Sequence, residues 1–170
     1  RKFDYDTEVQ VTKDGETNKI LNGITDWVYE EEFAVTNLMA WSPNSEQLAF
    51  VRFDESEVPQ YSMQMFGEGL YPGYYDYKYP KAGEKNSKVT LHSYDVVTKD
   101  TKELKVPVEA DSYIPRIVFT NNDEQLAVMT LNRHQNVFNM YYANPKSGVF
   151  RLILRDENKA YVDSEWLSSI

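Results

Sequence analysis

The sequence predicts an all-β chain, a partial β-propeller of about two four-stranded antiparallel blades plus part of a third. A strand–turn–strand unit occurs twice, as Met39-Ala40-Trp41-Ser42-Pro43-Asn44-Ser45-Glu46-Gln47-Leu48-Ala49-Phe50-Val51 and as Ile117-Val118-Phe119-Thr120-Asn121-Asn122-Asp123-Glu124-Gln125-Leu126-Ala127-Val128-Met129. One offset aligns both Trp41 with Phe119 and Leu48 with Leu126. Each unit is followed by a second hairpin, so each makes four short strands joined by turns, the pattern of a blade. A flat sandwich also has many short strands; the duplicated turn favours the propeller.

In chain order, Phe3 to Thr12 with a turn at Lys13-Asp14-Gly15-Glu16 reads as the end of an earlier blade. Residues 23–37 lie between blades, and Thr25 or Asp26 is placed to cap a short helical turn with acidic residues near its N-terminal half. In each repeated unit an aromatic closes the first strand, Pro, Asn, Asp and Ser make the turn, and Leu-Ala-Phe or Leu-Ala-Val opens the second strand. Residues 54–85 are an insertion lengthening the first blade, too rich in Tyr, Met and Phe for a solvated loop. The first blade then closes with Val89–Asp95, a turn at Thr98-Lys99-Asp100 and Lys102–Val106. The second closes with Val137–Tyr142, a turn at Asn144–Gly148 and Phe150–Leu154. A closed ring takes about four or more blades, so the 170 residues read as one piece of a larger propeller.

Composition narrows the chemistry. Hydrophobic residues make up 41%, enough for a core, while no apolar stretch reaches the roughly 20 residues of a spanning helix. The opening Arg1-Lys2-Phe3-Asp4-Tyr5-Asp6 has no apolar segment of a signal peptide, so the expectation is a start inside a mature protein or a lost targeting segment. Acidic residues outnumber basic ones 27 to 18, which disfavours nucleic acid and favours cationic or amine-bearing ligands. Cysteine is absent, removing disulfides, thiolate catalysis and cysteine-based zinc sites. The 13 Tyr, 8 Phe and 3 Trp suit strands and interfaces, where an apolar ring keeps one wet end.

The acidic run Glu30-Glu31-Glu32 is the first candidate site. On a helical turn neighbouring carboxylates lie about 100° apart, close enough for two of them to reach one ligand. A primary ammonium offers three donors, and a peptide amine titrates at about 7.7–8.0, so such a pair would hold it protonated. The other reading is a merely solvated face. The second candidate is the aromatic insertion, with Tyr61, Phe66, Tyr71, Tyr74 and Tyr75 as interface residues. It is either an arm that packs on another subunit or one folded back on its own blade.

No Gly-x-Ser-x-Gly elbow presents a nucleophile. His92 falls in a strand pattern and His134 in a polar turn, neither with a serine and acid at recognisable spacing, so no catalytic residue is assigned in this chain. Asp14-Gly15-Glu16 lacks the alternating oxygen ligands of a calcium loop, Asp54-Glu55-Ser56-Glu57 reads as solvated charges, and no glycine-rich phosphate cradle is present. Neither metal nor cofactor is expected.

The string Gly23-Ile24-Thr25-Asp26-Trp27-Val28-Tyr29-Glu30-Glu31-Glu32, followed by Trp41-Ser42-Pro43-Asn44, Glu57-Val58-Pro59 and Tyr79-Pro80-Lys81-Ala82-Gly83, resembles the β-propeller of the dipeptidyl peptidase IV family. With the downstream blade pattern the resemblance covers nearly the whole chain. It implies a serine exopeptidase of the prolyl oligopeptidase class, which pairs a propeller with an α/β-hydrolase domain and releases X-Pro or X-Ala dipeptides from peptide N-termini. It also implies that Glu31 and Glu32 grip the free amine, with Glu30 adjacent but non-contacting and Phe33 lining the outer cleft. The catalytic triad would lie C-terminal of Ile170, and an arginine that assists binding upstream of residue 1, a role Arg1 does not take. The implied partners are a peptide with a free N-terminus, the hydrolase domain of the same protein and a second copy contacting through 54–85. The implied location is extracytoplasmic, periplasmic or secreted. The fragment alone is expected to be inactive. The rival reading is a non-catalytic propeller module that binds proteins, or an inactive relative.

Overall fold

The computed structural model describes residues 8–163. The part of the expected opening strand before residue 8, and Arg1, lie outside that range. Residues 8–15 form no strand, and the first turn falls at 17–19 rather than at Lys13–Glu16, closed by a bridge between Glu16 and Ile20.

The first sheet holds β1 (Ile20–Asn22), β2 (Met39–Trp41), β3 (Gln47–Asp54), β6 (Lys88–Asp95) and β7 (Thr101–Leu104), with β1 and β2 both paired antiparallel to β3. The second holds β8 (Tyr113–Phe119), β9 (Leu126–Leu131), β10 (Val137–Ala143) and β11 (Phe150–Glu157), each antiparallel to the next. These are two blades, and the repeat is preserved at the level of register. Trp41 pairs with Leu48, and Phe119 pairs with Leu126. Both turns close alike, with Ser42 N–H donating to Gln47 C=O at 2.9 Å and Thr120 N–H to Gln125 C=O at 3.0 Å. The blades sit side by side: β2 packs near β8, and Asn44 N–H in the first turn donates to the Asp123 carboxylate in the second at 2.8 Å.

The core lies between the blades. Phe53, Leu91, Leu104, Ile114, Leu126, Leu131 and Phe138 are almost wholly buried in one cluster. β9 is buried on both faces, at every position but Ala127, while β10 turns Phe138, Tyr141 and Ala143 inward.

The innermost strand of the first blade is interrupted. Asn22 pairs with Arg52 and Met39 with Phe50, so residues 23–38 stand opposite the single residue Val51. Gly23, at φ +74°, turns the chain out; its N–H donates to Val51 C=O and its C=O accepts from Leu38 N–H, both at 2.9 Å. This excursion carries α1 (Trp27–Phe33).

The insertion at 54–85 forms a two-stranded ribbon of β4 (Gln60–Met65) and β5 (Gly73–Lys78), separate from both blades. Tyr61 pairs with Tyr77 and Met63 with Tyr75, which puts these four on one face and Ser62, Gln64, Tyr74 and Asp76 on the other. Its base is anchored by ring contacts running from Tyr77 through Tyr79 to Trp27.

Candidate functional site

The helix begins where the sequence places it, and Asp26 is its cap. Asp26 is extended (φ −83°, ψ 176°), and its Oδ1 accepts the N–H of Tyr29 at 3.1 Å. Thr25 does not cap; its hydroxyl donates to Val35 C=O at 2.6 Å and closes the base of the excursion. The other Asp26 oxygen, Oδ2, accepts from the Ser87 hydroxyl at 2.5 Å. Burial pushes the Asp26 carboxyl above its usual range, against the opposing pull of these bonds.

Val28, Tyr29 and Phe33 form the inward face of α1, with i, i+4 spacing bringing Tyr29 and Phe33 together. The Tyr29 ring meets Phe33, Phe53 and Tyr113 edge-on at centroid distances of 5.3, 4.8 and 6.0 Å. Its hydroxyl accepts the Ile114 N–H of β8 at 2.8 Å, a bond from the excursion into the next blade. Phe33, expected to line the outer cleft, is only 5% exposed and packs against Tyr29 and Tyr113.

Glu30, Glu31 and Glu32 are all exposed, and none of their carboxylates makes a hydrogen bond or ion pair with a described residue. Only Glu30 lies in the first turn; Glu31 and Glu32 fall in the last, where no basic residue accompanies them. That end carries the negative pole of the helix, so carboxylates there are locally unfavourable, by about 0.3–1 kcal/mol each. The chain leaves α1 through Ala34 in the left-handed conformation (φ 52°, ψ 38°), its N–H donating to Tyr29 C=O. The two adjacent carboxylates thus stand on a short, well-tethered turn with no neutralising partner of their own.

Beside the helix, a groove of about 880 Å³ runs between the apolar ribbon face and β1. Met63, Tyr75, Tyr77 and Trp27 line it, with Glu30 at its edge. Glu31 and Glu32 do not line it. Glu55 does, and it is buried rather than solvated as expected; burial, then the neighbouring Asp26 charge, raises its carboxyl, and Lys78 opposes this.

The predicted interface residues divide by position. Tyr61 and Tyr75 lie on the apolar ribbon face, Tyr74 on the opposite one, and Phe66 and Tyr71 at the tip, 82% and 88% exposed. His92 is in β6, stacked on Phe50, with Nε2 2.9 Å from Thr90 Oγ1; burial lowers its pKa. His134 is in a turn. Among the described residues no group of three or more His, Cys, Asp or Glu is placed to hold a metal ion. Sequence reasoning misses Tyr29 and Ser87. Tyr29 lies inside the acidic motif, but no local pattern shows that its hydroxyl meets a backbone N–H 85 residues away.

The fold and this excursion define a propeller segment whose innermost strand is broken to project an acidic helix. The profile of the dipeptidyl peptidase IV (DPP IV) N-terminal region matches residues 1–169, and the chain belongs to that family. It is 64% identical to the crystal structure of Porphyromonas gingivalis dipeptidyl peptidase 4, with a TM-score of 0.94 over 97% of this chain and 24% of that one. It is 35% identical to Probable dipeptidyl-aminopeptidase B of Pyrenophora tritici-repentis, over 98% of this chain and 20% of that protein. Against Prolyl endopeptidase FAP of Bos taurus it is 36% identical, over 78% of this chain and 18% of that protein. The chain therefore spans about one fifth of the length of these curated relatives.

Proposed function

We propose that this chain is the substrate-gating, amine-binding propeller portion of a serine dipeptidyl peptidase that releases X-Pro or X-Ala dipeptides. The observation that carries the reading is the pair Glu31 and Glu32, adjacent, exposed and unpartnered at the unfavourable end of a tethered helix. Two carboxylates side by side suit an ammonium, which offers three donors and brings the neutralising charge the helix end lacks.

In the whole enzyme a peptide enters between the propeller and a hydrolase domain. Glu31 and Glu32 hold its ammonium, which sets the second residue's carbonyl before the nucleophile, and bond cleavage is acyl transfer by a Ser-His-Asp triad outside this chain. The pair contributes binding and register rather than bond-making.

The test is the Glu31→Ala/Glu32→Ala double variant of the full-length protein, assayed on a dipeptide ester or anilide with a free amine. Removing each charge-assisted hydrogen bond costs about 1.5–3 kcal/mol, so kcat/KM should fall by about 100-fold or more. Undiminished activity would remove the assignment. The chain by itself is expected to show no peptidase turnover.

A further inference from the structure

Three tethers of α1 converge on one residue. The N–H of Tyr29 donates to the capping Asp26 carboxylate. Its C=O accepts the N–H of Ala34 and, at 3.2 Å, that of Val35, closing the C-terminal end. Its hydroxyl accepts the Ile114 N–H at the start of β8. A second thread runs in parallel, for Ser87 donates to Asp26 and the preceding Asn86 donates to the Tyr113 hydroxyl at 2.8 Å. The acidic helix leaves from one blade and is held against the other.

We propose that Tyr29, through its hydroxyl bond to Ile114, is a positioning residue that sets where the Glu31 and Glu32 carboxylates stand relative to the substrate amine. This rests on the amine-clamp reading above. Tyr29 lies two and three residues before the pair, about 3 and 4.5 Å along the helix axis, so a shift at its tether moves both carboxylates within the same turn. The simpler role, a core aromatic filling space, needs only the ring. The hydroxyl distinguishes the two: without it the Ile114 N–H, on a residue 1% exposed, has no partner. Either water enters or the helix and β8 move apart, and positional errors near 1 Å matter greatly for a group that orients substrate.

Tyr29→Phe keeps the ring and removes the bond. In the full-length enzyme it should raise KM for a free-amine dipeptide substrate by about 10-fold, with kcat changed less than about 3-fold. Turnover of the same substrate with its amine acylated should be unaltered. In a Glu31→Ala/Glu32→Ala background, adding Tyr29→Phe should cause no further loss. An equal loss on both substrates, or an added loss in the clamp-less background, would show a structural role only and overturn the proposal. Should Tyr29→Phe not yield folded protein, replacing the Ile114 amide N–H by an ester oxygen removes the same bond from its donor side and decides: KM should again rise about 10-fold, and an unchanged KM overturns the proposal. If the double glutamate variant itself retains full activity, the amine clamp fails first and the positioning role falls with it. A clamp-dependent loss without any effect of Tyr29→Phe removes the positioning role alone.

Discussion

At the scale of single residues, the acidic helix is a place where local preference is overruled. Two glutamates in the last turn, no cation beside them and a non-glycine residue in the left-handed cap all work against the helix. The burial of Tyr29 and the two bonds of Asp26 offset this. Asp26 carries a pH signature. Its carboxyl is raised in the folded chain, mainly by burial, from an ordinary value of 3.8. A raised acid binds protons more tightly when folded, so the Asp26 contribution to stability is greatest below 3.8 and declines as pH rises through the folded-state value, while the lowered carboxyls of Asp14, Asp54, Glu57 and Asp95 act with the opposite sign. Glu55, also raised by burial, acts with the same sign as Asp26 from its ordinary value of 4.5. Asp26→Asn removes the Asp26 contribution, so the slope of the urea unfolding free energy against pH should become more positive from 3.8 toward neutral. An unchanged slope would remove Asp26 from the account.

At the scale of elements, two insertions are attached differently. The helical excursion leaves and rejoins one strand across Val51, so both its ends are fixed by the sheet ladder. The ribbon is fixed along its lower half, by Tyr77 and Tyr79 against Trp27 and by Asn18 donating to Asp76 C=O at 3.2 Å, and its tip is bare, with Phe66, Leu70 and Tyr71 exposed by 82%, 97% and 88%. A contiguous apolar tip of this kind is a surface waiting for a cover. On the expectation from the family resemblance that 54–85 contacts a second copy, Phe66→Ser with Tyr71→Ser should leave the unfolding free energy within about 0.5 kcal/mol while weakening self-association of the full-length protein in sedimentation. Sedimentation identical to the parent would rule the tip out of the contact.

At the scale of the whole molecule, the two blades share one core and are further joined through Tyr29–Ile114 and Asn44–Asp123. Phe53 is at its centre: wholly buried, on β3 of the first blade, touching the excursion through Tyr29. Phe53→Ala should cost about 3–5 kcal/mol and destabilise both blades together, as followed by amide exchange in β6 and β10. Loss of protection in β6 alone would mean that the blades unfold independently.

Much of this was legible in the chain. The alignment of Trp41 with Phe119 and of Leu48 with Leu126 became two equivalent cross-strand pairs, because short turn chemistry and alternation are local and act the same way at both copies. The helical turn, with its cap narrowed to Thr25 or Asp26, was equally readable, since a cap needs only its own next turn; the structure chose Asp26. What lies between elements was not. The sequence places Phe33 beside the acids and leaves its side open; packing against Tyr113 turns it inward. Asp54 to Glu57 looks uniformly solvated until the ribbon and β1 close over Glu55. By itself the sequence determined the repeat, its tight hairpins and the acidic helical turn, all set by interactions spanning a few residues, and the blades were read from the repetition of those hairpins. Only the tertiary structure decided that residues 23–38 interrupt an innermost strand and that Tyr29 ties the helix to the next blade. Those outcomes depend on contacts between segments far apart in the chain, which no local pattern encodes.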